Sequence, residues 1–358
     1  MSSSSSKTIL GIVVIVIIVG GGIGAWWFLS ATPTLPPNPN SVAIVFATGG
    51  LGDKSFNDGC KRGADNAKAD FAMNFTYAEP TAISEYEGYI RGFAAHVLYN
   101  DPYKLIICIG FDQADALMKV AKEYPTQHFA IVDMFIDPGN YTNVASLLFN
   151  ENEGSALVGA MAGMMTTTNK VGFVGGMDIP LINKFAGGFV WGANRTNPGV
   201  NFTIAYTNSW VDPAGAKTLA DGMYAAGTDI IFAAAGRSGL GVIQSSVAMN
   251  GTKAYPVWSI GVDSPQMYLG FNPANNHSVV MTSMLKRVDL AVYAQFEMIH
   301  LETWSGGIYI GNLANHMVGY ELNSTEVEFP QAVYTTLYSL ENSIADGTLT
   351  VPQTKYWS

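Results

Sequence analysis

The stretch NFTIAYTNSWVDPAGAKTLADGMYAAGTDIIFAAAGRSG, residues 201–239, decides the fold. NFTIAYT is a short β-rich run. A helical pattern starts at Pro213, where proline is tolerated in a first turn. DIIFAAA is a second apolar run, too short for a buried helix, and it stops at Gly236. Strand, helix, strand with no hairpin turn is the signature of parallel pairing.

The same alternation extends both ways. Upstream are SVAIVFA (41–47), helix signals over 55–69, FTYAE (75–79), a helix near 83–99 and KLIICIG (104–110). A helix near 112–123, HFAIVDM (128–134), NVASLLF (143–149) and an Ala/Met/Gly-rich helix over 152–166 follow. A second series runs through KVGFVGG, a helix from about 183, the stretch quoted above, a helix near 239–249 and YPVWSIGVD. The expected class is α/β, two doubly wound parallel-sheet lobes with helices on both faces.

In such sheets ligands bind beyond the carboxyl ends of the strands. Asp53, Phe56 and Asn57 follow the first strand, Phe111 the third, and Asp133 ends the fourth. In the second series the corresponding positions are Trp210, Gly236 with Arg237, and Asp263. Taken singly, such residues cap helices and make turns. Their recurrence at nearly every strand end points to a shared cleft.

Of the 358 residues, 48% are hydrophobic, enough for a full core. Only 13% are charged and the net charge is -10. With no basic run, nucleic acid is a poor partner. Cys60 and Cys108 are too few for a disulfide scaffold or a four-cysteine zinc site. A buried thiol is expected at Cys108, and a Cys60–Cys108 disulfide is the alternative.

Residues 9–29, ILGIVVIVIIVGGGIGAWWFL, contain no charge and as a helix match a bilayer core. Lys7 precedes them, and Trp26 and Trp27 suit an interface. The expected order is a cytoplasmic N-terminus (1–8), a transmembrane anchor (9–29) and a Pro-rich tether (30–41), with the rest outside the cell membrane. A cleaved signal peptide is the alternative. Asn-X-Ser/Thr sequons begin at Asn74, Asn140, Asn194, Asn201, Asn250, Asn276 and Asn323, which fits a glycosylated exported surface.

The segments GDKSFNDG (52–59), FAIVD (129–133), NENEGSALVGAMAG (150–163), GFVGGMDIP (172–180), IGVDSPQ (260–266) and TSMLKRVD (282–289), with residues 212–236, stand in order along the chain. On these the sequence resembles the basic membrane protein (BMP) family of ABC-transporter substrate-binding proteins, purine-nucleoside receptor lipoproteins in particular. The resemblance implies a type I periplasmic-binding-protein-like fold that closes by hinge bending. Lobe 1 is then assigned 42–148 and 281–307, lobe 2 149–280 and 308–358. It also implies a nucleoside ligand, an ABC permease with its ATPase as partners, and neither cofactor nor metal. By resemblance, Phe56 and Trp210 sandwich the base, and Asn57 and Asp133 hydrogen-bond it or the sugar. Asp263 and Lys286 bind ribose hydroxyls together, and Gly236 lets backbone approach.

Three positions depart from the family pattern: Trp210 stands where Phe is general, Ala47 where Asp is frequent, and Arg237 where a second glycine is usual. Two other functions remain open. One is a surface receptor that senses ligand without transport. The other is a nucleoside-cleaving hydrolase, which needs an activated water. His96, His128, His277, His300 and His316 show no ligand spacing, so no enzymatic activity is expected.

Overall fold

The computed structural model describes residues 35–273, 276–322 and 327–355. The expected anchor and the first part of the tether lie outside them. Among the described residues no helix is long and apolar enough to cross a membrane.

The strands are β1 (Val42–Val45), β2 (Phe75–Ala78), β3 (Leu105–Ile109), β4 (Phe129–Val132), β5 (Val144–Phe149), β6 (Lys170–Gly175), β7 (Asn201–Tyr206), β8 (Ile230–Ala234), β9 (Trp258–Asp263), β10 (Phe271–Asn272), β11 (His277–Ser278), β12 (Val280–Lys286), β13 (Gly307–Gly311) and β14 (Val318–Tyr320). The helices are α1 (Phe56–Phe71), α2 (Tyr86–Ala94), α3 (Ala114–Glu123), α4 (Glu151–Met165), α5 (Pro180–Thr196), α6 (Pro213–Ala225), α7 (Gly239–Met249), α8 (Val288–His300) and α9 (Gln331–Ala345). Continuous apolar runs such as LIICI and IIFAA become central strands buried on both faces.

Two six-stranded sheets result, ordered β13-β5-β4-β3-β1-β2 and β14-β12-β9-β8-β6-β7. They share one strand order. All pairings in the first are parallel, and in the second only β14 runs antiparallel. This is the expected pair of doubly wound lobes. Both thiols are free and buried. The helix expected over 83–99 ends at Ala94, because His96 turns left-handed (φ 37°).

The lobe limits read from the sequence need correction. Residues 280–286, expected mostly in lobe 1, form β12 against β9 in the second sheet. Gly307–Gly311, expected mostly in lobe 2, is β13 beside β5 in the first sheet. Between them α8 packs on α1 of the first lobe. The chain thus crosses between lobes after Phe149, after Lys286 and after Gly311. Lys286 ends a strand of the second sheet, directly before one of these crossings.

Candidate functional site

The carboxyl ends of the two sheets border one cleft of about 700 Å³, its open mouth included. Apolar side chains with a few convergent polar groups line it, as in small-molecule sites. The nine residues expected at the site all line it.

The first-lobe wall is built by the loop between β1 and α1. Asp53 accepts backbone N–H groups of Ser55 (2.9 Å), Asn57 (2.8 Å) and Asp58 (3.1 Å), so its carboxylate caps α1. Burial pushes its pKa up, against the pull of these three donors. The cap fixes Phe56 and Asn57 at the helix start. The side-chain oxygen of Asn57 accepts from the Ala47 N–H at 3.1 Å. Gly110 (φ 110°) ends β3 and turns the chain so that Phe111 enters the cleft. Asp112 follows, its carboxyl raised by burial and hydrogen-bonded by the Tyr86 hydroxyl at 3.1 Å.

The second lobe repeats the device. Gly236 (φ 54°) ends β8 as Gly110 ends β3. A Cβ at Gly176 would stand 2.2 Å from the Trp210 ring, so only glycine lets the indole seat there. Phe111 meets that indole edge-on across the cleft, ring centroids 6.4 Å apart at 69°. Asp133 after β4 and Asp263 ending β9 both take left-handed backbone, φ 68° and 65°. Such strain in non-glycine residues clusters at functional sites.

Lys286 is buried at the base of the cleft. Its ammonium lies 2.5 Å from Asp133 Oδ1 and 3.1 Å from Glu151 Oε1, and 5.4 Å from the centre of the Phe56 ring. Lys184 holds the other Glu151 oxygen at 3.2 Å. Burial alone would discharge Lys286, but Asp133, Glu151 and Asp263 outweigh it and hold its pKa above the ordinary value. The ion-pair partners of Lys286 are thus Asp133 and Glu151, and Asp263 acts on it only at longer range. Asp263 accepts instead from the Ser55 hydroxyl of the opposite lobe at 2.5 Å. Burial pushes its carboxyl up to about 7, with Lys286 and Ser55 pulling back.

Further interlobe bonds surround that contact: Ser264 Oγ to the Ser55 carbonyl (3.0 Å) and Gln266 Nε2 to the Lys54 carbonyl (2.9 Å). Arg237 also faces the cleft and donates to the Leu51 carbonyl at 2.5 Å. Sequence reasoning missed Asp112 and the apolar floor of Leu181, Ile182 and Phe185 in the cleft lining, and Glu151 behind Lys286. The floor comes from the first turns of α5, directly after the GGMDIP segment that ends β6. The strand-end rule points to the turn at residues 175–178 and stops short of these helix residues. Among the described residues no His, Cys, Asp and Glu cluster is arranged to hold a metal ion.

A sequence profile of the Bmp family, described as ABC transporter substrate-binding protein PnrA-like, matches residues 40–355. The chain is 33% identical over 324 residues to a Lactococcus lactis protein named ABC transporter nucleoside-binding protein BmpA, spanning 87% of this chain and 88% of that one. It is 34% identical over 325 residues, with the same coverage, to a Listeria monocytogenes protein named CD4+ T-cell-stimulating antigen. A solved ABC transporter solute-binding protein from Aeropyrum pernix shares 27% identity and superposes with a TM-score of 0.76, covering 88% of this chain and 94% of that one.

Proposed function

Because the chain belongs to the Bmp family of PnrA-like ABC-transporter substrate-binding proteins, we propose that it binds a nucleoside, a purine nucleoside by preference, between its lobes and delivers it to a membrane permease and its ATPase. The observation that carries this reading is one cleft lined by an aromatic ring from each lobe, Phe56 and Trp210, beside the carboxyl groups of Asp133 and Asp263. A purine offers two flat faces, and stacking on an aromatic ring contributes about 1–3 kcal/mol per base. A sugar diol suits a carboxyl acceptor. The name of the lactococcal relative points the same way. Conversion of the ligand is no part of the proposal.

We place this binding domain outside the cell membrane, tethered by the apolar segment 9–29. Several relatives are named lipoproteins, among them one from Pyrococcus furiosus. The sequon asparagines Asn74, Asn140, Asn201, Asn250 and Asn276 are exposed, which suits glycosylation of an exported surface.

Calorimetric titration of the purified chain with adenosine, guanosine and inosine tests the reading. We expect saturable heat from at least one and no free base in the cell afterwards. Binding of a sugar or peptide with no nucleoside response would overturn it, and release of free base would move the protein to the hydrolases.

A further inference from the structure

We propose that Arg237 is a ligand-coupled latch: one guanidinium nitrogen ties the two lobes together, and another donates to a hydrogen-bond acceptor on the bound molecule. This rests on the cleft being the ligand site.

Arg237 belongs to the second lobe, directly after the left-handed Gly236. Its Nη2 donates to the Leu51 carbonyl of the first-lobe loop at 2.5 Å. The side chain lines the cleft over that span. Its Nε–H is buried and meets no acceptor among the described residues. A desolvated donor on a charged group is unfavourable unless something accepts from it. An acceptor on a ligand in the cleft removes that penalty.

The charge pattern narrows the ligand. Lys286 is neutralised by Asp133 and Glu151. No carboxylate lies within ion-pair distance of Arg237 among the described residues. Yet Asp53, Asp112 and Asp263 line the same space. A phosphorylated ligand would gain one cation and face three acids. The fitting class is an uncharged molecule with an exposed acceptor, such as a carbonyl oxygen or a ring nitrogen.

Because one planar group serves both bonds, closure and ligand capture are linked, and the linkage is reciprocal. The bond to Leu51 forms after the lobes meet, so its loss acts on release rather than on capture.

The test uses the full chain with Arg237→Met and Arg237→Lys, followed by stopped-flow tryptophan fluorescence with inosine, adenosine and guanosine. Arg237→Met should release ligand roughly 10- to 100-fold faster while its association rate changes less than about threefold. Arg237→Lys, which keeps a donor, should recover part of the loss. Inosine monophosphate should bind the wild type more weakly than inosine. Small-angle scattering without ligand should show Arg237→Met more open than the wild type. An unchanged release rate together with superimposable scattering curves would overturn the latch. If the wild type binds no nucleoside, the nucleoside reading fails, and scattering alone then decides for or against the latch.

Discussion

Asp263 is buried, held at φ 65° and bonded across the cleft to Ser55. Its carboxyl is pushed by burial to about 7, well above the ordinary value near 4. Between those values the folded chain keeps a proton that the unfolded chain has released. The stability it contributes is therefore fully present below about pH 4 and is lost as pH rises through 7. Asp263→Asn removes the titration. Relative to wild type, the variant should gain up to about 4 kcal/mol of unfolding free energy at pH 8 over its value at pH 4. Urea midpoints at the two pH values check this, and a difference that ignores pH would sink it. The position of Asp263 was legible in the sequence, because apolar runs show where strands stop and parallel sheets offer those ends to ligands. Its partner was not. Glu151, which shares Lys286 with Asp133, opens α4 directly after β5, and only the packing of α4 against β12 brings it to the ammonium.

Helices α4 and α5 pack backbone to backbone. A Cβ at Gly192 would stand 1.9 Å from the Ala156 carbonyl oxygen, and one at Gly159 2.1 Å from that of Phe189. Gly192→Ala should then destabilise the fold by about 1–3 kcal/mol, since a carbonyl of the facing helix cannot yield as a side chain would. Because α5 also carries Ile182 and Phe185 into the cleft, the variant should bind ligand more weakly. Gly222 in α6 is exposed with nothing within 4 Å of a Cβ, so Gly222→Ala should be neutral or stabilising by up to about 1 kcal/mol. Thermal melts of both variants, side by side, check the contrast; equal losses would refute it. The strands and helices through β9 were readable from periodicity. Beyond them, β10, β11, α8, β13, β14 and α9 went unread. For α9 the signal was present: Val333, Leu337, Leu340 and Ile344 repeat at helical spacing and are its buried face. For β12 and β13, apolar content alone does not say which sheet a strand joins.

The whole molecule carries few charges, and several carboxylates sit with cations. Arg91 and Lys119 hold the half-buried Glu87 below its ordinary pKa. At Asp289 burial opposes, but Arg287 and Arg62 prevail and its pKa is also lowered. Groups of this kind stabilise the fold above their unfolded pKa and lose that contribution only as pH falls through the depressed value. Asp263, raised instead, loses nothing in acid. The chain is therefore expected to stay folded below pH 4. Circular dichroism from pH 7 to 2 checks this, and cooperative unfolding above pH 4 would contradict it.

The three crossings between lobes also govern how the protein is made. A nascent chain that has emerged as far as Arg287 carries every strand of both large sheets except β13 and β14. These are the outermost strands beside β5 and β12. The half-made protein therefore presents two open sheet edges at once, and α1 lacks the cover of α8. Unpaired edges invite association with other chains. Neither lobe can mature first and shelter the other: both are completed together by the segment from Val288 onward, at the end of synthesis.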